Sequence, residues 1–310
     1  MEMDKFAGNT GALQYRLTAQ GGIIMSQQQA MIAQPITFYG AGAMAEAIVR
    51  GLIGRSVVNA GSLTMLNRSN SGRLEELKHR YNVKTNNDPA ETSEILRESP
   101  IIVLAIKPKD AANVLRKLGP LLSDNTLIVS VIAGLTIRTI QDLLGRKQPV
   151  ARTMPNTSSS IGLGATGVSF SKEINDHDRQ TVMTLFQAVG TVTVVDEDKL
   201  EILTGISGSG PAYIYYMMEA MMAAGIRGGL TPQQCKELTV QTVLGAARMV
   251  QQTGEEPAAL RAKVTSPNGS TQAALETLDK GDFFETVIAA VNRCAERSRE
   301  MGAALKEGIS

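Results

Sequence analysis

Between Ile36 and Val150, short runs of Val, Ile and Leu alternate with stretches whose apolar residues recur at helical spacing. The runs Ile36–Tyr39, Leu63–Leu66, Ile101–Ala105 and Leu127–Val131 hold too few polar positions for a half-solvated sheet. They predict strands covered on both faces, joined by helices into βαβ units of a parallel sheet. Val150–Thr153, Gly164–Phe170 and Thr191–Val195 predict further strands, with a helix over Asp176–Val189, and carry the sheet region to about Asp196. Beyond it the pattern is helical alone. Ser209–Arg227 is rich in Met and Ala, Thr231–Thr253 opens on a Thr cap with Pro232 at the first helical position, and Phe283–Lys306 shows long amphipathic spacing. Ala, Gly and Met recur on more than one face of these helices, which predicts a helical dimer interface. The cluster Met217, Met218, Met221 and Met222 is read as core or interface packing rather than a ligand surface.

The first run breaks into Gly40-Ala41-Gly42-Ala43-Met44-Ala45, and a helical pattern follows. Strand, glycine turn and helix together form a dinucleotide-binding element: Gly40 permits the tight turn, Gly42 lets a pyrophosphate approach the backbone, and Ala45 lets the helix lie close to the strand. Unpaired N–H groups at the helix start then face the phosphates. An NAD-preferring fold usually ends its second strand with an acid on the ribose hydroxyls. Here Leu63–Leu66 runs into Asn67-Arg68-Ser69-Asn70, where Arg68 can pair with a 2′-phosphate and Ser69 can donate to it, so NADPH is the expected cofactor and NADH the alternative. Read locally, the same stretch is a solvated loop with Ser71 capping the helix around Arg73–Lys78.

Length and composition narrow the field. The 310 residues, 43% of them hydrophobic, suffice for two domains with a buried core. A net charge of +1, cations spread along the chain and an absence of Trp speak against nucleic-acid binding. Cys235 and Cys294 lie far apart without metal-site spacing, which predicts no metal and reduced core thiols of a cytoplasmic protein. No apolar run approaches the roughly 20 residues of a membrane span. Residues 1–34, dominated by Gly, Gln, Asn and Thr, are expected to lie outside the fold, either as a tail or ahead of a true start at Met25 or Met31. The expected architecture is α/β: a Rossmann-type dinucleotide-binding domain over residues 35–196, then an all-α dimerisation and substrate-binding domain over 197–310.

Three stretches carry further candidate chemistry. Ala105-Ile106-Lys107-Pro108 ends a buried strand, the edge where such sheets bind ligands, although a plain strand-ending turn reads equally well. Arg152-Thr153-Met154-Pro155-Asn156-Thr157 ends another strand and is either a polar wall of that edge or a Pro-Asn turn. Val264-Thr265-Ser266-Pro267-Asn268-Gly269-Ser270-Thr271 opens a helix whose N–H groups suit a substrate carboxylate, with Ser270 or Thr271 read locally as an N-cap. The only histidines, His79 and His177, sit among charged neighbours and look solvent-facing, which leaves no base for hydroxyl oxidation. A protonated imine already carries its activating proton, so C=N reduction asks for little beyond positioning.

These stretches, with Ser207-Gly208-Ser209-Gly210-Pro211-Ala212-Tyr213, give a chain that resembles the pyrroline-5-carboxylate reductases over nearly all of residues 35–303. The resemblance implies hydride transfer from NAD(P)H to the ring C=N carbon of 1-pyrroline-5-carboxylate, giving L-proline. It implies that Thr271 bonds the ring nitrogen as the catalytic contact and that Val264, Ser266, Gly269 and Ser270 hold the carboxylate. It implies cofactor contacts at Tyr39, Gly40, Ala41, Gly42, Ala43, Met44, Arg68, Ser69, Asn87, Ala105, Ile106, Lys107, Pro108 and Ala133. It also implies domain-swapped dimers through the C-terminal helices, in some members assembled into decamers. Where many members have Gly-Gly this chain has Asn268-Gly269, and Asn tolerates the left-handed conformation. A β-hydroxyacid dehydrogenase would need a lysine after its second-domain glycine motif, and Ser207–Gly210 runs into Pro211-Ala212-Tyr213 instead. A non-catalytic redox-sensing dinucleotide binder would be expected to lack the Thr271 loop, which is intact.

Overall fold

The computed structural model describes residues 31–307, with side chains to residue 304, and a short antiparallel pairing of Arg16–Leu17 with Ile23–Ile24. The expectation for the N-terminal extension otherwise falls outside the described residues. Ile32 is already buried and its N–H donates to Val57 O at 2.9 Å, so the packed domain includes residues ahead of 35.

Eight strands form one sheet: β1 Ile36–Tyr39, β2 Leu63–Leu66, β3 Lys84–Asn86, β4 Ile101–Leu104, β5 Leu127–Ser130, β6 Val150–Met154, β7 Gly164–Phe170 and β8 Gly190–Val194. Their spatial order is β8-β7-β6-β5-β4-β1-β2-β3. The first six strands run parallel, as the apolar runs of β1, β2, β4 and β5 predict, with Ile36 beside Ile101 and Leu63. Strand β7 runs antiparallel to β6 and parallel to β8. The reason is the link over 155–163, a loop with one short 3₁₀ turn, too short for the crossover a parallel pair needs. Helices on both faces, α5 Ile137–Leu144 and α6 Asp176–Gln187 among them, bury two apolar layers. Phe38, Ile48, Leu52, Met65 and Leu77 lie in one, Ile102, Leu104, Leu115, Ile128 and Ile140 in the other.

The strand order reverses between β1 and β4, which is where an open α/β sheet leaves a crevice beyond its strand ends. Helix α1, Ala43–Gly54, leaves β1 on one side of it, and α4, Pro108–Leu118, leaves β4 on the other. Pro108 therefore opens a helix at its first position rather than closing a strand. Helix α2, Ser71–Tyr81, is capped by Asn70 Oδ1 on the Arg73 N–H at 2.9 Å, not by Ser71. Strand β3 and α3, Pro89–Glu98, escape the hydrophobic pattern because β3 is a short edge strand of Lys-Thr-Asn.

From residue 200 the chain is helical: α7 Leu200–Leu203, a π turn over Thr204–Gly208, then α8 Gly210–Arg227, α9 Pro232–Thr253, α10 Pro257–Lys263, α11 Ser270–Lys280 and α12 Phe283–Glu307. A full capping box between Thr231 and Gln234 starts α9. Helix α12 packs back on α7 and the π turn, whereas α8, α10 and α11 bury no residue in the single chain. Tyr216 is 76% exposed, Phe284 65% and Leu238 59%, an apolar surface that a monomer would leave in water.

Candidate active site

Because the first five strands are parallel, their C-terminal ends lie along one edge and gather loops that are far apart in sequence. The backbone ladder runs straight into these loops: Gly40 N–H donates to Leu66 O and Ala105 N–H to Tyr39 O, both at 3.0 Å, and Val131 N–H to Leu104 O at 3.1 Å. The edge thus collects Tyr39–Met44, Arg68 and Ser69, Asn87, Ala105–Pro108 and Ala133, all the candidate cofactor residues.

The two glycines of the turn serve different purposes. Gly40 has φ of +117°, and a Cβ there would come within 2.3 Å of Ala105 O, so the fold itself demands glycine. Gly42 has φ of −78°, and a Cβ there would meet no atom within 4 Å. Neither strain nor packing asks for glycine at that position, and the open space in front of α1 is the cradle a pyrophosphate would fill. Among the described residues no side chain caps α1, so the N–H groups of Ala43 and Met44 face that space unpaired.

Beside the turn, Asn67 Oδ1 accepts from the N–H groups of Ser69 and Asn70, each at 3.1 Å, and folds the loop so that Arg68 is exposed. Arg68 forms no ion pair or hydrogen bond among the described residues. Burial raises the Tyr39 pKa, and the nearby Arg68 guanidinium opposes that rise, which sets the cation beside the end of β1. Lys107 at the start of α4 is likewise exposed and unpaired among the described residues. Among the described residues the edge therefore presents unpaired N–H groups and two unpaired cations, Arg68 and Lys107, to an anionic dinucleotide.

The Arg152 stretch does something else. Arg152 is only 5% exposed and bonds Glu201 at 2.5 Å and Glu197 at 3.3 Å, while Ser298 of α12 donates to the other oxygen of Glu201. Asn156 Nδ2 donates to Ser207 O at 2.9 Å, and its Oδ1 accepts from Ala165 N–H at 3.2 Å. These groups dock the helical domain on the sheet instead of lining the strand edge. Sequence reasoning missed this because the acids lie some fifty residues further on, in helices of no distinctive pattern.

The loop over 264–271 is preformed. Asn268 holds φ of +57°, so the left-handed position falls on the Asn of the Asn-Gly pair. The local cap reading is corrected: the N-cap of α11 is Gly269, without a side-chain bond, and Ser270 and Thr271 are its first two helical residues. Gly269 N–H is spent on Ser266 O at 3.0 Å. The hydroxyls of Ser270 and Thr271, and their N–H groups, have no partner among the described residues. Val264 is 67% exposed, and the loop's hydrogen bonds stay within 261–276, reaching no strand of its own sheet.

Both histidines are exposed. Cys235 is buried and Cys294 half-buried with its thiol on Ser209 Oγ at 3.2 Å, so only the first is a core thiol. Among the described residues no cluster could hold a metal, and no helix is long and apolar enough to cross a membrane.

A dinucleotide edge on a doubly covered parallel sheet, followed by helices built to pair, defines an NAD(P)-dependent oxidoreductase with a helical dimerisation domain. Family models match on both counts: NADP oxidoreductase coenzyme F420-dependent over residues 35–134, and pyrroline-5-carboxylate reductase dimerisation over 197–301. The chain is 42% identical over 276 residues to pyrroline-5-carboxylate reductase 2 of Bacillus subtilis, covering 87% of this chain and 98% of that one. It is 36% identical to the pyrroline-5-carboxylate reductase of Arabidopsis thaliana, over 86% of this chain and 95% of that one. The solved reductase of Coxiella burnetii superposes with a TM-score of 0.81 at 36% identity, covering 87% of this chain and 99% of that chain. That of Plasmodium falciparum, with NADP bound, gives 0.79 at 30% identity, covering 88% and 100%. The chain belongs to the pyrroline-5-carboxylate reductase family.

Proposed function

We propose that this protein reduces 1-pyrroline-5-carboxylate to L-proline with NADPH, NADH serving less well, as the last step of proline biosynthesis. The observation that carries the reading is the presence of an open glycine turn at the sheet edge together with a preformed loop in which, among the described residues, the hydroxyls and N–H groups of Ser270 and Thr271 are unspent. When bound, NADPH would supply a hydride for the ring carbon, and the protonated C=N bond would become a C–N single bond whose nitrogen keeps its proton. Residues Tyr39–Met44, Ala105–Pro108, Ala133 and Asn87 hold the dinucleotide along the strand ends, and Arg68 and Ser69 take the 2′-phosphate. At the start of α11 the free N–H groups of Ser270 and Thr271, with the Ser266 hydroxyl, hold the substrate carboxylate, and the Val264 and Gly269 backbones, whose own N–H groups are spent within the loop, shape the turn that presents them. Thr271 Oγ bonds the ring nitrogen and fixes the face of the ring that is attacked. No general base is required, in keeping with the exposed histidines.

The working unit is a dimer formed by the helices of residues 197–310, in which the 264–271 loop of one protomer completes the crevice of its partner. Support comes from the exposed helical faces and, among the described residues, from the lack of any hydrogen bond between the loop and its own sheet. A cytoplasmic location and assembly of dimers into decamers belong to the same reading, the latter checked by light scattering. The direct test follows NADPH and NADH oxidation with pyrroline-5-carboxylate and measures proline. Absence of proline with both cofactors would overturn the function.

A further inference from the structure

The first turn of α1 carries an acid where a dinucleotide needs positive potential. Glu46 lies three residues beyond Ala43, roughly 4.5 Å along the helix axis. That is inside the screening length of about 8 Å in physiological salt. An ionised carboxylate there stabilises the helix but repels a pyrophosphate bound at the same N-terminus.

Helix α2 resolves the conflict. Arg73 ion-pairs with Glu46 through one nitrogen and donates from Nε to the carbonyl of Ala41, the residue between the two glycines, at 3.3 Å. Arg80 and the Tyr81 hydroxyl bond the other oxygen of Glu46 at 2.8 and 2.7 Å. Burial works to raise the Glu46 pKa, but the bonds from Arg73, Tyr81 and Arg80 outweigh it and hold the carboxyl below its ordinary range. Of these donors, Arg73 alone touches both the acid and the turn. Its own N–H is capped by Asn70, whose N–H is held by Asn67, so it is also tied to the loop that carries Arg68.

We propose that Arg73 is a positioning residue for the cofactor pyrophosphate, neutralising Glu46 and pinning the Ala41 carbonyl so that the phosphate turn accepts a dinucleotide. The inference rests on the cofactor reading above. Since NADPH and NADH share the pyrophosphate, both depend on Arg73, whereas Arg68 serves only the 2′-phosphate.

The test measures Kd for NADPH and for NADH on the full chain by titration calorimetry, with KM for the imine alongside. Arg73→Met should weaken both cofactors by about tenfold and to a similar degree, leaving the imine KM within about twofold. Glu46→Gln added to Arg73→Met should regain about threefold or more, a recovery that a purely structural role of Arg73 would not give. A loss confined to NADPH, no loss at all, or no recovery in the double variant would each overturn the proposal. If Arg73→Met does not fold, Arg73→Lys decides instead: it keeps the charge but loses the Nε bond, and about threefold weakening of both cofactors is expected, none being contrary. A wild-type protein that binds and turns over neither cofactor would refute the cofactor reading itself, whereas normal wild-type binding with an unaffected Arg73→Met refutes only this inference.

Discussion

At the scale of single residues, Thr271 gains most from the structure. Gly269 occupies the cap position of α11, so the Thr271 hydroxyl has no structural duty to lose. Thr271→Ala should lower kcat/KM for the imine by roughly one to two orders of magnitude, because a lost buried hydrogen bond costs about 1–3 kcal/mol. Its melting temperature and NADPH affinity should stay those of the wild type, and Thr271→Ser should keep most of the activity. Full turnover in Thr271→Ala would remove it from the substrate site. Arg68 is the second such residue, exposed at the end of β2 and, among the described residues, without an ion pair or hydrogen bond. Arg68→Asp should weaken NADPH far more than NADH, since a charge-assisted contact worth about 1.5–3 kcal/mol is lost and a repulsion added. Equal losses in kcat/KM for the two cofactors would place the 2′-phosphate elsewhere.

Between elements, the junction of sheet and helices rests on a buried ion pair. Arg152 of β6 meets Glu201 of α7, which in turn accepts from Ser298 of α12. Arg152→Met would leave the carboxylate buried without its partner, at a cost of about 3–5 kcal/mol, read as a lower midpoint in urea. Arg152→Met with Glu201→Gln should recover part of that loss, because the stranded charge is gone. If the double variant is no better than the single, packing rather than charge holds the junction. Some boundaries at this scale are readable along the chain: β1, β2 and β7 start and end where their predicted runs do, while β4, β6 and β8 differ from theirs by a residue at one or both ends. The antiparallel turn of β7 and the polar edge strand β3 are not readable there, because hydrophobic periodicity carries neither strand direction nor the pairing of a strand that buries little.

For the whole molecule, the exposed faces of α8 to α12 are the surface that the proposed dimer would bury. Truncation before Phe283 removes α12, the helix that packs on α7 and the π turn, and should give insoluble or unfolded protein. A soluble, active monomer from that truncation would refute obligate dimerisation. The proposed sharing of each site between two protomers makes a stronger demand. Co-refolded Arg68→Asp and Thr271→Ala chains should form mixed dimers in which one crevice carries both defects and the other neither. NADPH-dependent activity should then rise well above that of either variant alone. No rise on mixing would mean that each chain completes its own site.

The linear chain by itself determined the elements and the chemistry available to them: a glycine turn after a buried strand, a basic loop without an acid after the next, and a polar loop ahead of a helix. These are local properties, set by periodicity, turn stereochemistry and charge within a few residues of one another. Tertiary structure decided how those pieces are used. It gathered strand ends from residue 39 to residue 133 along one edge, because parallel strands point their C-termini the same way. It placed Glu46 against Arg73 and Arg152 against Glu201, pairs whose partners lie 27 and 49 residues apart. It also separated Thr271 from the duty of a cap. Such contacts depend on how whole elements pack, and no local pattern of residues encodes that packing.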